Sequence, residues 1–339
     1  MQPIGFAVIG AGAFGSNHLR VLRELSAPPG APVRLAAIVE TNTARALALE
    51  SEYPGIRVFR DLNACLEARA VGKLPLDAAS VCVPTSAHAA IAVALLESGI
   101  DVLVEKPIAA SLAEADQLSA LAARHQRILQ VGHLERFNPA VLAVRPYIHM
   151  PMFFEAHRLS VFTPRSLDTD VILDLMVHDL DIVLTLVQSP VRSLQAVGLP
   201  VLSRKVDIAN VRIEFASGCV ANFTASRVST ERVRKLRFFQ PHQYVSIDYA
   251  RQDLLFIDVK PQNASVDPAR IPGALSVSKP TVNPGEPLRL EIESFLESVR
   301  TRQQPAVTGE QGRAALALAL DINIAIQEHA TRAHLDRFI

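Results

Sequence analysis

The amino-acid sequence predicts an α/β protein with two domains, and three observations lead to this fold class. The chain begins with a short apolar segment that runs into a glycine-rich turn and a helical pattern. Up to about residue 132, strand-like and helix-like segments alternate, which predicts a doubly wound parallel sheet. Later segments alternate apolar with polar residues, which is typical of antiparallel strands with one wet face. We therefore predict one domain over 1–132 and an α+β domain over 133–339.

The first strand and turn carry the sequence features of a dinucleotide site. The run Ile4–Ile9 is short and apolar, and Gly10, Gly12 and Gly15 follow it with the spacing G-x-G-x-x-G. In such a turn the first glycine allows the bend, the second lets the backbone approach a pyrophosphate, and the third lets the helix pack on its strand. Because glycine-rich turns are common, the prediction also depends on the elements that follow.

An acidic residue follows at the distance at which such sites bind a ribose. The second apolar run, 33–39, ends in Glu40, about 25 residues after Gly15. A carboxylate there accepts hydrogen bonds from ribose hydroxyls and repels a 2′-phosphate, so the sequence favours NAD over NADP. The alternative is a surface glutamate at a strand end. Arg45 could serve a 2′-phosphate, but its place one turn into the next helix favours a solvated side chain.

The remaining elements of the first domain continue the alternation. Asp61 is predicted to cap a helix, and Ser111 with Glu114 matches a capping box. The later predicted strands, with helices between them, are 56–59, 78–83, 101–104 and 128–131.

The second domain is predicted to mix short strands with helices. Residues 261–287 hold six prolines and few apolar residues, so we expect an irregular arm there. The predicted elements of this domain are a helix from about Pro139, strands at 153–157, 211–215 and 220–225, and helices at about 288–302 and 310–330.

Composition argues against several classes of partner. The 339 residues include 34 basic and 34 acidic side chains, so the zero net charge gives no sign of a nucleic-acid or anionic-membrane surface. No apolar run is long enough for a membrane span, and the N-terminal apolar segment matches a strand rather than a signal peptide. Three widely spaced cysteines fit neither a disulfide framework nor a zinc motif, which favours a cytoplasmic protein.

A polar stripe crosses an otherwise apolar segment at 171–187. On a helix, with Asp174 at zero, His178 lies at about 40° and Asp181 at about −20°. Buried carboxylates and imidazoles are costly unless they are paired or face a cavity, so the stripe predicts a polar ligand site. A structural network, a solvated face and, more weakly, a zinc site are the alternatives.

Lys106 follows the predicted strand 101–104. Ligands of open α/β sheets bind at the carboxyl ends of the strands, so its ammonium group is a candidate to reach the cofactor. A surface lysine is the alternative.

These features together resemble the Gfo/Idh/MocA oxidoreductase family, and the resemblance covers nearly the whole chain. It implies an N-terminal Rossmann domain and a C-terminal domain with a large open antiparallel sheet, which makes a homodimer or homotetramer by packing face to face. Family members often have a glycine run where this chain has 170–173, so the helix entry must differ. The matching groups are Gly10-x-Gly12-x-x-Gly15 with His18, Glu105-Lys106-Pro107, Asp174-x-x-x-His178 with Asp181, and Gly309-x-x-Gly312-Arg313.

Two segments narrow the resemblance to a branch that acts on nucleotide sugars. The runs 132–139 and 173–179 resemble the UDP-N-acetylglucosamine 3-dehydrogenases of lipid A precursor synthesis. The resemblance implies oxidation of a secondary hydroxyl at C3 of that UDP-sugar, with NAD as cofactor. A free-sugar or inositol dehydrogenase of the same family, and a redox sensor that binds NAD without turnover, are the competing hypotheses.

The residues of the predicted site fall into three groups, with no metal. The predicted catalytic residues are Lys106, Asp174 and His178. The predicted cofactor contacts are Gly10, Gly12, Ala13, Phe14, Gly15, Glu40, Pro84, Thr85, His88, Glu105 and Lys106. The predicted substrate contacts are Lys106, Arg136, Asn138, Arg158, Arg165, Asp174 and His178.

Oxidation of an alcohol requires removal of both a hydride and the hydroxyl proton. We predict that His178 takes the proton, because an imidazole titrates near neutral pH, and that Asp174 holds its tautomer. Lys106 would hold the developing alkoxide by its charge, or would act as the base itself if desolvation lowers its pKa.

Overall fold

The computed structural model describes residues 2–163, 169–259 and 275–335, and the chain divides into two compact units. Unit 1 contains Met1–Leu134 and Leu288–Ala314, and unit 2 contains Glu135–Pro287 and Ala315–Ile339. The segment 288–314, which the sequence grouped with the second domain, therefore packs with the first.

The described part of unit 1 contains a sheet of six parallel strands in the order β3-β2-β1-β4-β5-β6, which confirms the doubly wound fold. All five residues of the fifth strand are buried, as expected for a strand covered on both faces. The strands are β1 (Ile4–Ile9), β2 (Val33–Val39), β3 (Arg57–Phe59), β4 (Ala78–Val81), β5 (Asp101–Glu105) and β6 (Leu129–Gly132).

Helices connect these strands, and their first turns follow the sequence signals. The Asp61 carboxylate accepts a hydrogen bond from the Ala64 N–H at 2.8 Å, and Ser111 with Glu114 forms the expected capping box. The helices are α1 (Gly15–Ser26), α2 (Thr43–Glu52), α3 (Leu62–Ala70), α4 (Thr85–Glu97) and α5 (Leu112–Arg124).

The described strands of unit 2 form an open eight-stranded sheet in the order β14-β13-β12-β11-β7-β10-β9-β8. All neighbouring pairs in this sheet are antiparallel except β7 with β10. Burial alternates along β7 and β9, so one face packs on the unit's apolar core and the other is more open. The strands are β7 (Phe153–Leu159), β8 (Val191–Leu199), β9 (Ile208–Phe215), β10 (Val220–Ser226), β11 (Val233–Gln240), β12 (Gln243–Asp248), β13 (Asp253–Val259) and β14 (Leu275–Ser278).

Strand β14 corrects part of the predicted irregular arm. Its residues Leu275–Ser278 pair antiparallel with β13, because an unpaired strand edge offers backbone donors and acceptors to any extended segment. Residues 260–274, which hold the rest of the proline-rich segment up to that strand, lie outside the described part of the chain.

The sequence pattern predicted one uniform α-helix for the segment that carries the polar stripe, but the structure shows two helix types there. Residues Ile172–Met176 form a π-helix, which continues into α7 (Val177–Val187). The Asp170 carboxylate accepts hydrogen bonds from the N–H groups of Ile172 and Leu173, both at 2.9 Å, and so caps this entry. The preceding helix is α6 (Pro139–Val144).

Two helices follow the sheet of unit 2, close to the predicted bounds. They are α8 (Pro287–Thr301) and α9 (Gly309–Arg332). Among the described residues, no helix has both the length and the apolar composition needed to cross a membrane.

Candidate active site

The glycine turn of unit 1 has the geometry that a dinucleotide requires. Gly10 has a φ of +87°, and a Cβ on Gly15 would lie only 1.9 Å from the Gly10 carbonyl oxygen. A Cβ on Gly12 would meet nothing within 4 Å, so the backbone there lies open to a ligand. These properties match the three separate roles of the glycines, and the turn therefore fits a bound pyrophosphate.

Glu40 lies beside this turn, at the carboxyl end of β2. Its Oε2 accepts a hydrogen bond from the Ala11 N–H at 2.9 Å, and its Oε1 accepts one from the Asn42 N–H at 2.8 Å. Each oxygen keeps a second lone pair that can accept from a ribose hydroxyl. The backbone thus holds the carboxylate in the position in which the sequence predicted a ribose contact.

Arg45 does not extend into solvent as expected. Its Nε donates to the Ala11 carbonyl oxygen at 3.3 Å and its Nη2 donates to the Ser16 hydroxyl at 3.2 Å. The sequence interpretation of this side chain was wrong because helix α2 directs its first turn toward the glycine turn, a relation that only the packed unit shows.

The other predicted cofactor contacts lie in the loops of unit 1. Phe14 is partly exposed at the start of α1, next to Ala13. Pro84 and Thr85 open α4. The buried His88 ring lies between the carbonyl oxygens of Val83 and Pro107, each 2.9 Å from a ring nitrogen, so it bridges the loops that follow β4 and β5.

The Glu105-Lys106-Pro107 motif begins at the end of β5, as predicted. Lys106 is partly exposed, and the peptide bond that joins it to Pro107 is cis. Glu105 is buried, and its Oε1 lies 2.9 Å from Nε2 of the fully buried His18 on α1. This ion pair joins α1 to the end of β5, one residue before Lys106.

Sequence reasoning did not identify the full environment of this pair. Burial lowers the pKa of His18, but Cys82 and Glu105 outweigh that effect and hold the pKa well above its ordinary value. Glu291 on α8 is fully buried, and its carboxylate oxygens accept no hydrogen bond from the described residues. Burial and the Glu105 carboxylate raise the pKa of Glu291 well above its ordinary value, so the folded protein holds this proton more tightly than the unfolded chain does.

We expect Glu291→Gln to raise the Tm, and to raise it more as the pH increases. Glu291 loses its proton near pH 4.5 when unfolded but at a higher pH when folded, so its contribution to folding declines as the pH rises through this window. The loss is about 1.4 kcal/mol per pH unit within the window. The neutral amide has no such dependence. Thermal melts from pH 5 to 8 measure the difference.

The matched control is Glu293→Gln on the exposed side of the same helix, which should leave the pH dependence of the Tm unchanged. If wild type and Glu291→Gln keep the same difference in Tm at every pH, folding does not raise the pKa of Glu291 and this prediction is wrong.

In unit 2, the structure separates the predicted polar stripe into two parts. Asp174, on the π-helix, and His178, on α7, are both partly exposed. Asp181 is buried and accepts two hydrogen bonds from Arg136, at 2.6 and 2.7 Å. Asp181 is therefore held by a guanidinium group, whereas the sequence placed it on one polar stripe with Asp174 and His178.

A second buried ion pair joins Arg158 to Asp179, the residue that follows His178 in the sequence. Arg158 donates to both oxygens of Asp179, at 2.7 and 3.0 Å, and to Glu135 at 3.0 Å. These carboxylates raise the pKa of Arg158 despite its burial, which acts in the opposite direction. In the sequence, Asp179 falls outside the polar stripe and among apolar residues, and that position is the available signal for a buried partner.

Three residues that were predicted to contact the substrate instead form hydrogen bonds within unit 2, which favours a structural role for them. Arg136 and Arg158 direct their guanidinium groups at Asp181 and Asp179, which follow His178 on the same helix. Asn138 donates to the Tyr249 carbonyl oxygen at 3.0 Å and caps α6. Arg165 lies outside the described residues.

Two family models match this chain. Residues 4–133 match the oxidoreductase family with a NAD-binding Rossmann fold, and residues 144–240 match the Gfo/Idh/MocA C-terminal domain.

Named dehydrogenases are similar to this chain over different lengths. The UDP-N-acetylglucosamine 3-dehydrogenase of Acidithiobacillus ferrooxidans is 33% identical over 330 residues, which are 96% of this chain and 98% of the relative. A solved structure of that enzyme superposes with a TM-score of 0.85 over 97% of this chain and 99% of that one, at 31% identity. The inositol 2-dehydrogenase of Acidothermus cellulolyticus is 29% identical over 58% of this chain and 57% of its own.

A more distant structure shares the fold. Levoglucosan dehydrogenase in complex with NADH has a TM-score of 0.81 at 17% identity, over 96% of this chain and 98% of that chain. The family models and the relatives confirm the family resemblance and the NAD cofactor that the sequence predicted. The chain belongs to the Gfo/Idh/MocA family and is a NAD-dependent dehydrogenase that acts on CH–OH groups.

Proposed function

We propose that this dehydrogenase oxidises a secondary hydroxyl of a nucleotide sugar to a ketone, and that the substrate is UDP-N-acetylglucosamine, oxidised at C3 in lipid A precursor synthesis. The main support is the 33% identity to a UDP-N-acetylglucosamine 3-dehydrogenase over nearly the full length of both chains. The inositol dehydrogenases match over little more than half of this chain, so they favour the alternative substrate less.

NAD supplies the hydride acceptor when it is bound. We propose that Lys106 and His178 act on the same substrate hydroxyl. The ammonium group of Lys106 holds the oxygen as negative charge develops, because a fixed charge requires no reorganisation during the reaction. His178 accepts the hydroxyl proton, Asp174 stabilises the imidazolium, and the electron pair of the C–H bond leaves with the hydride.

The two buried ion pairs of unit 2 suggest that Arg136 and Arg158 position His178 for this mechanism. Asp179 and Asp181 lie one and three residues after His178, and each is held by a bidentate arginine. Two such contacts on one helix fix its rotation, because neither carboxylate can move without breaking a buried contact with its guanidinium group. We propose that Arg136 and Arg158 thereby hold His178 in place, and that Arg165 is the remaining candidate for a diphosphate contact.

The identity of the substrate can be tested by incubating the enzyme with NAD and each sugar of a panel. The absorbance of NADH then measures turnover. We expect turnover with UDP-N-acetylglucosamine and none with free N-acetylglucosamine or myo-inositol. Calorimetry should also detect UDP binding, because a nucleotide-sugar enzyme uses the UDP group to hold its substrate. Turnover of a free sugar without UDP binding would identify the free-sugar alternative. Binding of NADH with no reaction of any sugar would identify a redox sensor.

We also propose that the open sheet of unit 2 joins copies of the chain, as the family resemblance implies. Its more open face carries hydrogen-bonded polar side chains, including Arg212 with Asn222 at 3.1 Å. These side chains keep an unpaired face compatible with water before assembly.

We also propose that the enzyme is cytoplasmic. The free thiols of Cys65, Cys82 and Cys219 support this location, because thiols stay reduced in the cytoplasm.

We expect Asn222→Arg to convert the oligomer to monomers, since it places a second cation beside Arg212 on that face. Light scattering after gel filtration measures the mass, with Arg124→Met on α5 as a control that should assemble normally. A wild-type chain that is monomeric at micromolar concentration would contradict the proposal.

A further inference from the structure

The glycine turn is held by two opposite charges. Glu40 accepts from the N–H of Ala11, and Arg45 donates to the C=O of the same residue, at 2.9 and 3.3 Å. Arg45 also donates to the Ser16 hydroxyl, which itself donates to the Gly12 carbonyl oxygen at 2.8 Å. A guanidinium group and the Glu40 carboxylate therefore contact the same residue of the glycine turn, and an acid at the end of β2 is where a dinucleotide places its adenosine ribose.

The remaining contact of Arg45 is easily exchanged. Its Nη1 lies 2.7 Å from Oε1 of Glu52, and these two side chains are 31% and 47% exposed. An exposed ion pair contributes little to stability. A phosphate monoester carries nearly two negative charges and three strong acceptor oxygens, so it competes well with one exposed carboxylate for this donor.

We propose that Arg45 is a second specificity-determining residue of the cofactor site, and that it allows the enzyme to bind NADP as well as NAD. Glu40 favours the free ribose hydroxyls of NAD and repels a 2′-phosphate. Arg45 offsets that repulsion by offering the phosphate a charge-assisted hydrogen bond. The balance between these two side chains, not Glu40 alone, sets the preference for NAD.

The proposal rests on NAD binding by the glycine turn and Glu40, and it does not depend on the identity of the sugar. Fluorescence titration with NADH and NADPH, without any sugar, tests it. We expect Arg45→Met to weaken NADPH binding about tenfold more than NADH binding, because only NADPH carries the 2′-phosphate. The control Arg124→Met removes one exposed positive charge from α5 and should change neither affinity.

A second pair of variants tests the balance directly. We expect Glu40→Gln to bring the affinity for NADPH about tenfold closer to that for NADH, and the double variant with Arg45→Met to lose this gain. If Arg45→Met weakens both cofactors equally, the side chain only braces the glycine turn and the proposal is overturned. A wild-type enzyme that does not bind NADPH, or a Glu40→Gln variant that binds NADPH no more tightly than the wild type does, also overturns it. Neither result bears on the UDP-sugar proposal, since no sugar is present.

Discussion

Lys106→Met is expected to lower the turnover number by about two orders of magnitude or more, with the affinity for NADH nearly unchanged. The variant removes the charge that stabilises the developing alkoxide but keeps most of the apolar side chain. Lys106 is partly exposed, so its replacement should cost the fold little. Steady-state turnover with the UDP-sugar and fluorescence titration of NADH measure the two effects separately.

His178→Ala should produce a loss of similar size if this residue takes the proton. The assignment of roles can then be read from the pH dependence of kcat/KM. Loss of the base removes the acidic limb of the profile, so the variant that lacks this limb identifies the base. Lys73→Met, which removes an exposed lysine of unit 1, is the matched control. Near-normal turnover in both Lys106→Met and His178→Ala would end the proposed mechanism.

Arg158→Met is expected to destabilise the protein by about 3–5 kcal/mol. It leaves the carboxylates of Asp179 and Glu135 buried without their guanidinium partner, and breaking a buried ion pair by removing one member has this cost. Urea denaturation measures the free energy of unfolding. Arg192→Met is the control, because Arg192 pairs with Glu214 at the surface, and we expect a change of about 0.5 kcal/mol or less.

A double variant distinguishes loss of the pair from loss of packing. Arg158→Met with Asp179→Asn removes both charges, so it should be less destabilised than the sum of the two single variants. Additive losses would show that the pair is not coupled. A loss below about 1 kcal/mol in Arg158→Met would show that water reaches these carboxylates in solution.

The sequence predicted the acidic residues near His178 but not the arginines that pair with them. The helical wheel identified the acidic residues near His178, since helical periodicity is a local property of the chain. It could not identify Arg158, which lies on strand β7, or Arg136 as the cations that hold them. Both arginines were therefore predicted to contact the substrate. Ion pairs between distant segments depend on packing, and periodicity does not report packing.

The sequence did not predict the π-helix or strand β14, for a similar reason. A one-residue widening of a helix leaves almost the same pattern of apolar residues, so Val171–Val187 matched an α-helix throughout. The short β14 sits among prolines that suggested an irregular arm, and only the edge of β13 gives it a partner. In both cases the local sequence was compatible with two backbone conformations, and neighbouring elements selected one.

The sequence alone determined the parallel sheet, the glycine turn, the acidic end of β2 and the position of Lys106, because each depends on residues close together in the chain. The tertiary structure decided the partners of the buried charges, the contact of Arg45 with the glycine turn and the return of residues 288–314 to unit 1. Those features join residues far apart in sequence, and their energies depend on burial, which exists only once the chain has packed.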